Sequence, residues 1–181
     1  MSQEEETPAL RTARLELHFP TDSDRDAALM LAVLNDPDFI HHVRDSGVRD
    51  LEGARNALRQ GAMAYRQANG LGLCRVSETA TGRDLGQIGL ISRPGLPAPD
   101  LGYAFLPSAR GHGFAVEAGR AVLAHACDTL KLSQVLAIVH AGHAASEAVL
   151  AKLGFGFETM VRLPGIDHEL QLFSIALQKD T

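Results

Sequence analysis

Hydrophobic and polar positions follow two periods along this chain. Arg14-Leu15-Glu16-Leu17-His18-Phe19 alternates with period two, which predicts a strand. Pro20 stops it, and Thr21-Asp22-Ser23-Asp24 offers caps for a helix with Ala27, Leu31 and Leu34 at helical spacing. Asp36-Pro37-Asp38 breaks that helix, and a second helical pattern fills residues 51–68 before Asn69-Gly70. Residues 71–78 and 85–92 then read as two strands around a turn at 79–84. Pro94, Pro97 and Pro99 punctuate a loop, and the apolar strand 101–106 ends at Pro107. Residues 114–130 carry the strongest helical pattern, with Ala115, Ala118, Gly119, Val122, Ala126 and Leu130 on one face. A buried-type strand at 134–139, a helix at 146–153 stopped by Gly154, and strands at 155–162 and 169–177 complete the chain.

The predicted order is β-α-α-β-β-β-α-β-α-β-β, which places the chain in the α+β (mixed α/β) class. A disordered acidic lead-in over residues 1–12, with Glu4, Glu5 and Glu6, precedes a single domain over 13–178.

Composition narrows the function classes. The 181 residues are 45% hydrophobic and 22% charged, with a formal net charge of -5. That charge gives no electrostatic footprint for a phosphate backbone, so nucleic acid is not an expected partner. No apolar run reaches membrane-spanning length, and the start lacks a signal peptide's basic and apolar regions. Cys74 and Cys127 form no C-x-x-C pair, which fits a reducing compartment and a soluble cytoplasmic protein. His41, His42, His140 and His143 lack metal-ligand spacing with acidic support, so no metal is expected.

The chemistry concentrates in Leu106-Pro107-Ser108-Ala109-Arg110-Gly111-His112-Gly113-Phe114-Ala115, between a strand and a long helix. Helix-start N–H groups lack intrahelical partners, and the helix dipole adds partial positive charge. Gly111 and Gly113 let an anion approach those amides, so the loop reads either as a diphosphate cradle or as a turn before an ordinary helix. It is neither a dinucleotide fingerprint, since Val116 stands where a third small residue belongs, nor a Walker loop.

Arg110, Gly113 and Ala115 match Q/R-x-x-G-x-G/A. With Thr12-Ala13-Arg14-Leu15-Glu16-Leu17, Leu101-Gly102-Tyr103 and Val149-Leu150-Ala151-Lys152-Leu153-Gly154-Phe155 in order, residues 12–177 resemble the GNAT superfamily of N-acetyltransferases. The resemblance is strongest to the branch that acetylates N-terminal α-amines of ribosomal proteins. It implies a central, mostly antiparallel twisted sheet of about seven strands flanked by about four helices, with the strands near 100–106 and 134–139 splayed apart. It also implies acetyl-CoA as cosubstrate and a primary amine acceptor, either a protein N-terminus or a small molecule, and it admits a homodimer.

Carried over residue by residue, the backbone of Phe105 and Leu106 contacts the pantetheine. Arg110, Gly111, His112, Gly113, Phe114 and Ala115 hold the pyrophosphate, and the Leu106 N–H stabilises the oxyanion. Asp100 is the implied base, with Tyr103 as the alternative. Many relatives place a tyrosine acid where Leu150 stands; here Ser146 takes that role or caps its helix. His143 stands where relatives use an asparagine against the pantetheine. Residues 36–50 and 164–168 shape the acceptor site. These departures keep open a second class, an acyl-CoA-binding module with impaired catalysis.

Overall fold

The computed structural model describes residues 7–178. Its sheet has eight strands in the order β1-β2-β3-β4-β5-β6-β8-β7. They are β1 (Leu10–Arg11), β2 (Leu15–His18), β3 (Leu73–Glu78), β4 (Asp84–Ile91), β5 (Asp100–Phe105), β6 (Gln134–His140), β7 (Gly156–Val161) and β8 (Leu170–Ala176). Every neighbouring pair is antiparallel except β5 and β6. The helices are α1 (Asp24–Leu34), α2 (Pro37–His42), α3 (Leu51–Leu58), α4 (Ala64–Asn69), α5 (Phe114–Asp128) and α6 (Ala144–Leu153). A π-turn over Arg59–Met63 joins α3 to α4, so the single helix expected over 51–68 is continuous but widened in the middle.

Two expected features differ. The lead-in is shorter than expected, because Leu10–Arg11 pairs with β2 and adds an eighth strand; residues 1–6 lie outside the described residues. Asp36-Pro37-Asp38 does not simply break a helix but opens α2, with Asp36 as N-cap and Pro37 in the first turn. Proline suits that position because its missing N–H is one that no helix start can satisfy internally.

Alternation explains how the sheet carries helices on both faces. Cys74 and Val76 of β3 join the main core with Leu15, Leu17, Ile88, Leu101 and Phe105, against α5 and α6. Arg75 lies between them in sequence and therefore points to the other face. There it forms a buried ion pair with Asp26 of α1 at 2.7 Å. A smaller core of Ala27, Ala54 and Leu58 holds α1 against α3 on that side. On the α5–α6 side, Gly119 allows the helices to touch, since a Cβ there would lie 2.7 Å from Leu153.

The sheet opens at one place. β5 and β6 are paired only at Asp100↔Leu136, supported by Leu136 N–H donating to Pro99 O at 2.9 Å. From there β5 stays bonded to β4 while β6 follows β8 from Gln134 to His140. A wedge-shaped cleft thus separates their C-terminal halves, as expected for the strands near 100–106 and 134–139.

Candidate active site

At the wide end of the cleft β5 runs through a short 3-10 turn, Pro107–Ala109, into the loop before α5. Gly111 and Gly113 both have φ of +78°, a left-handed conformation that side-chain-bearing residues adopt at a cost. Gly113 is the N-cap of α5 and supplies no capping side chain. The first amides of a fifteen-residue helix therefore face outward with the positive end of its dipole. Phe114 is buried and anchors the helix start, whereas His112 turns its Nδ1–H back to Arg110 O at 2.8 Å. Beside the loop a cavity of about 610 Å³ is lined by Thr12, Arg14, Gly113, Glu117, Arg120 and Lys152.

Arg14 of the β1–β2 turn braces this corner. Its Nε donates to Glu117 at 2.6 Å and its Nη1 to His112 O at 3.1 Å, and its guanidinium lies over the Phe114 ring at 4.6 Å. Thr12 Oγ1 and the Arg14 N–H also donate to Glu117. Although burial works the other way, these bonds and the Arg14 charge hold the Glu117 carboxyl below its usual range. Arg110, expected to face the pyrophosphate, is engaged elsewhere. Its Nε donates to Phe105 O at 3.0 Å, and its two terminal nitrogens bond Asp38 and Asp36. Its backbone N–H donates to Pro107 O, so the available amides begin after it.

Inside the cleft the free edge of β5 sets which donors are available. Leu106 N–H, the expected oxyanion donor, is bonded to Leu85 O of β4 at 2.8 Å. N–H groups alternate edges along a strand, so those of Tyr103 and Phe105 point to the β6 side. Tyr103 Oη lies 2.8 Å from Ser146 Oγ and 3.1 Å from Ser146 O. Ser146 is thus no helix cap; the cap of α6 is His143, which makes no side-chain capping bond. Burial pushes the Tyr103 hydroxyl up to about 12, despite the Ser146 bond that lowers it. Leu150, on the next turn of α6, is wholly buried in the core.

Asp100 lies at the apex of the wedge, on the face of β5 opposite to Tyr103, since the two are three residues apart. It is 1% exposed and accepts two bonds from Arg93 Nε at 3.0 and 3.1 Å. Burial raises its pKa, and the Arg93 charge only partly offsets that.

Across the mouth of the cleft lie histidines from four segments. His42, ending α2, stacks on His143 with centroids 3.8 Å apart and planes 4° from parallel. His140, ending β6, lies 6.0 Å from His42 and 4.9 Å from His168 in the β7–β8 connection. His41 packs edge-on against His42. Among the described residues no group of three such side chains could hold a metal ion. Sequence spacing had no means of showing this convergence, whereas the start of α2 was signalled by Asp36-Pro37.

Three comparisons bear on this geometry. A family model for the acetyltransferase (GNAT) domain matches residues 14–156. The chain is 25% identical over 179 residues to YoaA of Bacillus subtilis, an N-acetyltransferase, covering 96% of this chain and 99% of that protein. It is also 29% identical over 146 residues to YkkB of the same organism, covering 77% and 81% of the two chains. Among solved structures, an acetyltransferase of Agrobacterium tumefaciens shares 26% identity at a TM-score of 0.77, over 94% of this chain and 95% of that one. The ribosomal L7/L12 α-N-protein acetyltransferase RimL, solved with coenzyme A, shares the fold at a TM-score of 0.77 and 18% identity, over 92% and 96%. With the parted strands, the glycine-lined helix start and a domain match over most of its length, this chain belongs to the acetyltransferase (GNAT) family.

Proposed function

We propose that this protein transfers the acetyl group of acetyl-CoA to a primary amine by direct attack on the thioester. The observation that carries the reading is the wedge between β5 and β6, which ends at the unpartnered amides of α5. Those amides, from Gly111 to Ala115, take the diphosphate. The neighbouring cavity, with Arg120 and Lys152, takes the phosphorylated adenosine end. The pantetheine arm adds to the free edge of β5 as an extra strand does. Phe105 contributes its N–H, while its carbonyl is already bonded to Arg110.

With the cofactor on the α5–α6 face, the acceptor arrives from the α1–α2 face, where Asp100 lies. A buried carboxylate of raised pKa is suited to take a proton from an ammonium near neutral pH. The amine nitrogen then attacks the carbonyl carbon, and the Tyr103 N–H meets the developing oxyanion. As the C–S bond breaks, the Tyr103–Ser146 pair donates a hydrogen bond to the departing thiolate. A hydroxyl that keeps its proton up to about 12 does not surrender it to a thiolate, whose thiol titrates near about 8.5. The nitrogen loses two protons in all: the one Asp100 takes before attack passes on to solvent, and the one released as the amide forms goes to the departing sulfur.

The test is calorimetric titration with CoA, followed by a screen of amines and peptide N-termini with thiol release as readout. Tight CoA binding with acetyl transfer to any amine supports the reading. CoA binding without transfer to any acceptor would reduce the protein to an acyl-CoA-binding module.

A further inference from the structure

Helix α2 is fastened to the body at both of its ends. None of its six residues is buried. At its start Asp36 and Asp38 hold Arg110, which follows the β5 arm of the cleft. At its finish His42 lies flat on His143, the cap of α6, beside His140 at the end of the β6 arm. The helix therefore straddles the gap where the two arms part.

The two attachments differ in kind. The first joins two carboxylates to one guanidinium. The second is a face-to-face contact of two imidazoles, and it tolerates at most one charge. Two imidazolium rings at that distance repel each other, and every ring nearby adds to the repulsion.

We propose that α2 is a strap over the acceptor entrance and that the His42–His143 stack is its latch, closed while both rings are neutral and released when they take up protons. This rests on the transfer function proposed above. The groups around the latch agree with it. His42 faces His41 on its own helix, His140 on β6 and Asp38 one turn back; His143 faces Asp38, His140 and the Arg110 guanidinium. His140 is in turn backed by His168, whose Nδ1 lies 3.0 Å from Asp167. Asp38 alone favours the charged rings, and Arg110 already occupies it. Burial first, then the neighbouring cations, depress both imidazoles below the ordinary value of 6.5. His143 also sits at a helix start, where the dipole disfavours a cation. His42 Nδ1 is shielded from solvent with no hydrogen-bond partner, so charging that ring in place gains nothing.

The sign follows. Rings whose pKa is depressed in the closed state stabilise closure above the open-state value. That stabilisation is lost as pH falls through 6.5 toward the depressed values. Because the rings touch, they titrate as a coupled pair. The result is a transferase whose acceptor entrance loosens under mild acid while its cofactor corner stays intact.

Amide hydrogen exchange tests the latch without using activity. Rates for α2 are measured from pH 7.5 to 5.5, corrected for intrinsic exchange and referenced to α5. The wild-type protein should show α2 exchange rising about tenfold across that range, a step that corresponds to about 1.4 kcal/mol. His42→Phe keeps a ring on His143 without a charge and should exchange slowly at every pH. His42→Ala should exchange quickly at every pH, with acceptor KM changed and CoA affinity held. A flat wild-type profile, or a rise that persists in His42→Phe, overturns the latch. An unchanged acceptor KM in His42→Ala overturns its role as an entrance. Failure of CoA to bind the wild-type protein counts against the transfer function alone, since the exchange profile does not depend on it.

Discussion

At the α5 end of the cleft the outward groups of the loop are backbone amides, fixed by two left-handed glycines, a buried phenylalanine and the Arg14–Glu117 brace. At the α2 end the groups are side chains from five separate segments, meeting through stacked rings and one guanidinium. A backbone site offers the same donors at every pH and cannot be edited by swapping one side chain for another of similar shape. A side-chain site titrates, and each member is replaceable. The first suits a constant part of a substrate, such as a diphosphate. The second suits a part that differs between relatives, such as the acceptor.

Gly113→Val strikes the constant end hardest. A β-branched residue held at φ of +78° carries strain of roughly 1–3 kcal/mol, and its Cβ would lie 3.6 Å from the Arg14 guanidinium that braces the helix start. CoA affinity should fall on the order of 100-fold, given about 1.4 kcal/mol per tenfold. Calorimetry on a variant whose circular dichroism matches the wild type decides it; unchanged affinity would move the diphosphate away from this loop.

Asp100→Asn asks whether the apex carboxylate works or merely packs. Burial makes its charge unfavourable, so removing the charge should leave the melting temperature level or raised. The rate should nonetheless fall by about 100-fold, a typical contribution of a general base. Its kcat/KM should also lose the wild-type rise with pH through the raised carboxyl titration. A variant that loses stability and keeps its rate makes Asp100 a structural partner of Arg93.

A smaller effect is expected from the hydroxyl pair. Tyr103→Phe and Ser146→Ala should each lower kcat by about tenfold with CoA affinity nearly unchanged, and the double variant should lose less than the product of the two. Full additivity would separate the hydroxyls functionally. His143→Asn, at the boundary between the two regions, should change least. Its CoA affinity near neutral pH should stay within a few-fold of wild type, while any dependence on pH between 7.5 and 5.5 should flatten. Parallel curves for the two proteins would place His143 wholly on the acceptor side.

The same division decided what could be read from the amino-acid order. Gly111, Gly113 and the amphipathic run after them lie within one stretch of chain, so local spacing carried the helix start and its outward amides. Strand alternation likewise gave the wedge-forming strands to within a residue or two. The partners of Arg110 and Leu106 were not legible, because a backbone or guanidinium donor is spent by whatever lies opposite, here Leu85 O and two aspartates far away in sequence. Tyr103 and Ser146 were singled out separately, but their contact spans 43 positions and no periodicity joins them. The imidazole cluster was beyond reach for the same reason. Only α2 was available and overlooked, since Asp-Pro both ends one helix and begins another.

The Arg14–Glu117 brace also has a bearing on the order in which the molecule assembles. It joins residues 103 positions apart, so the corner it supports cannot close until β2 has found β3 and α5 has settled on the sheet. The β3–β4 hairpin, whose partners are near neighbours in sequence, has no such wait. The corner at the start of α5 therefore exists only in a chain whose beginning and middle have already met, and whatever binds there also holds those two parts together.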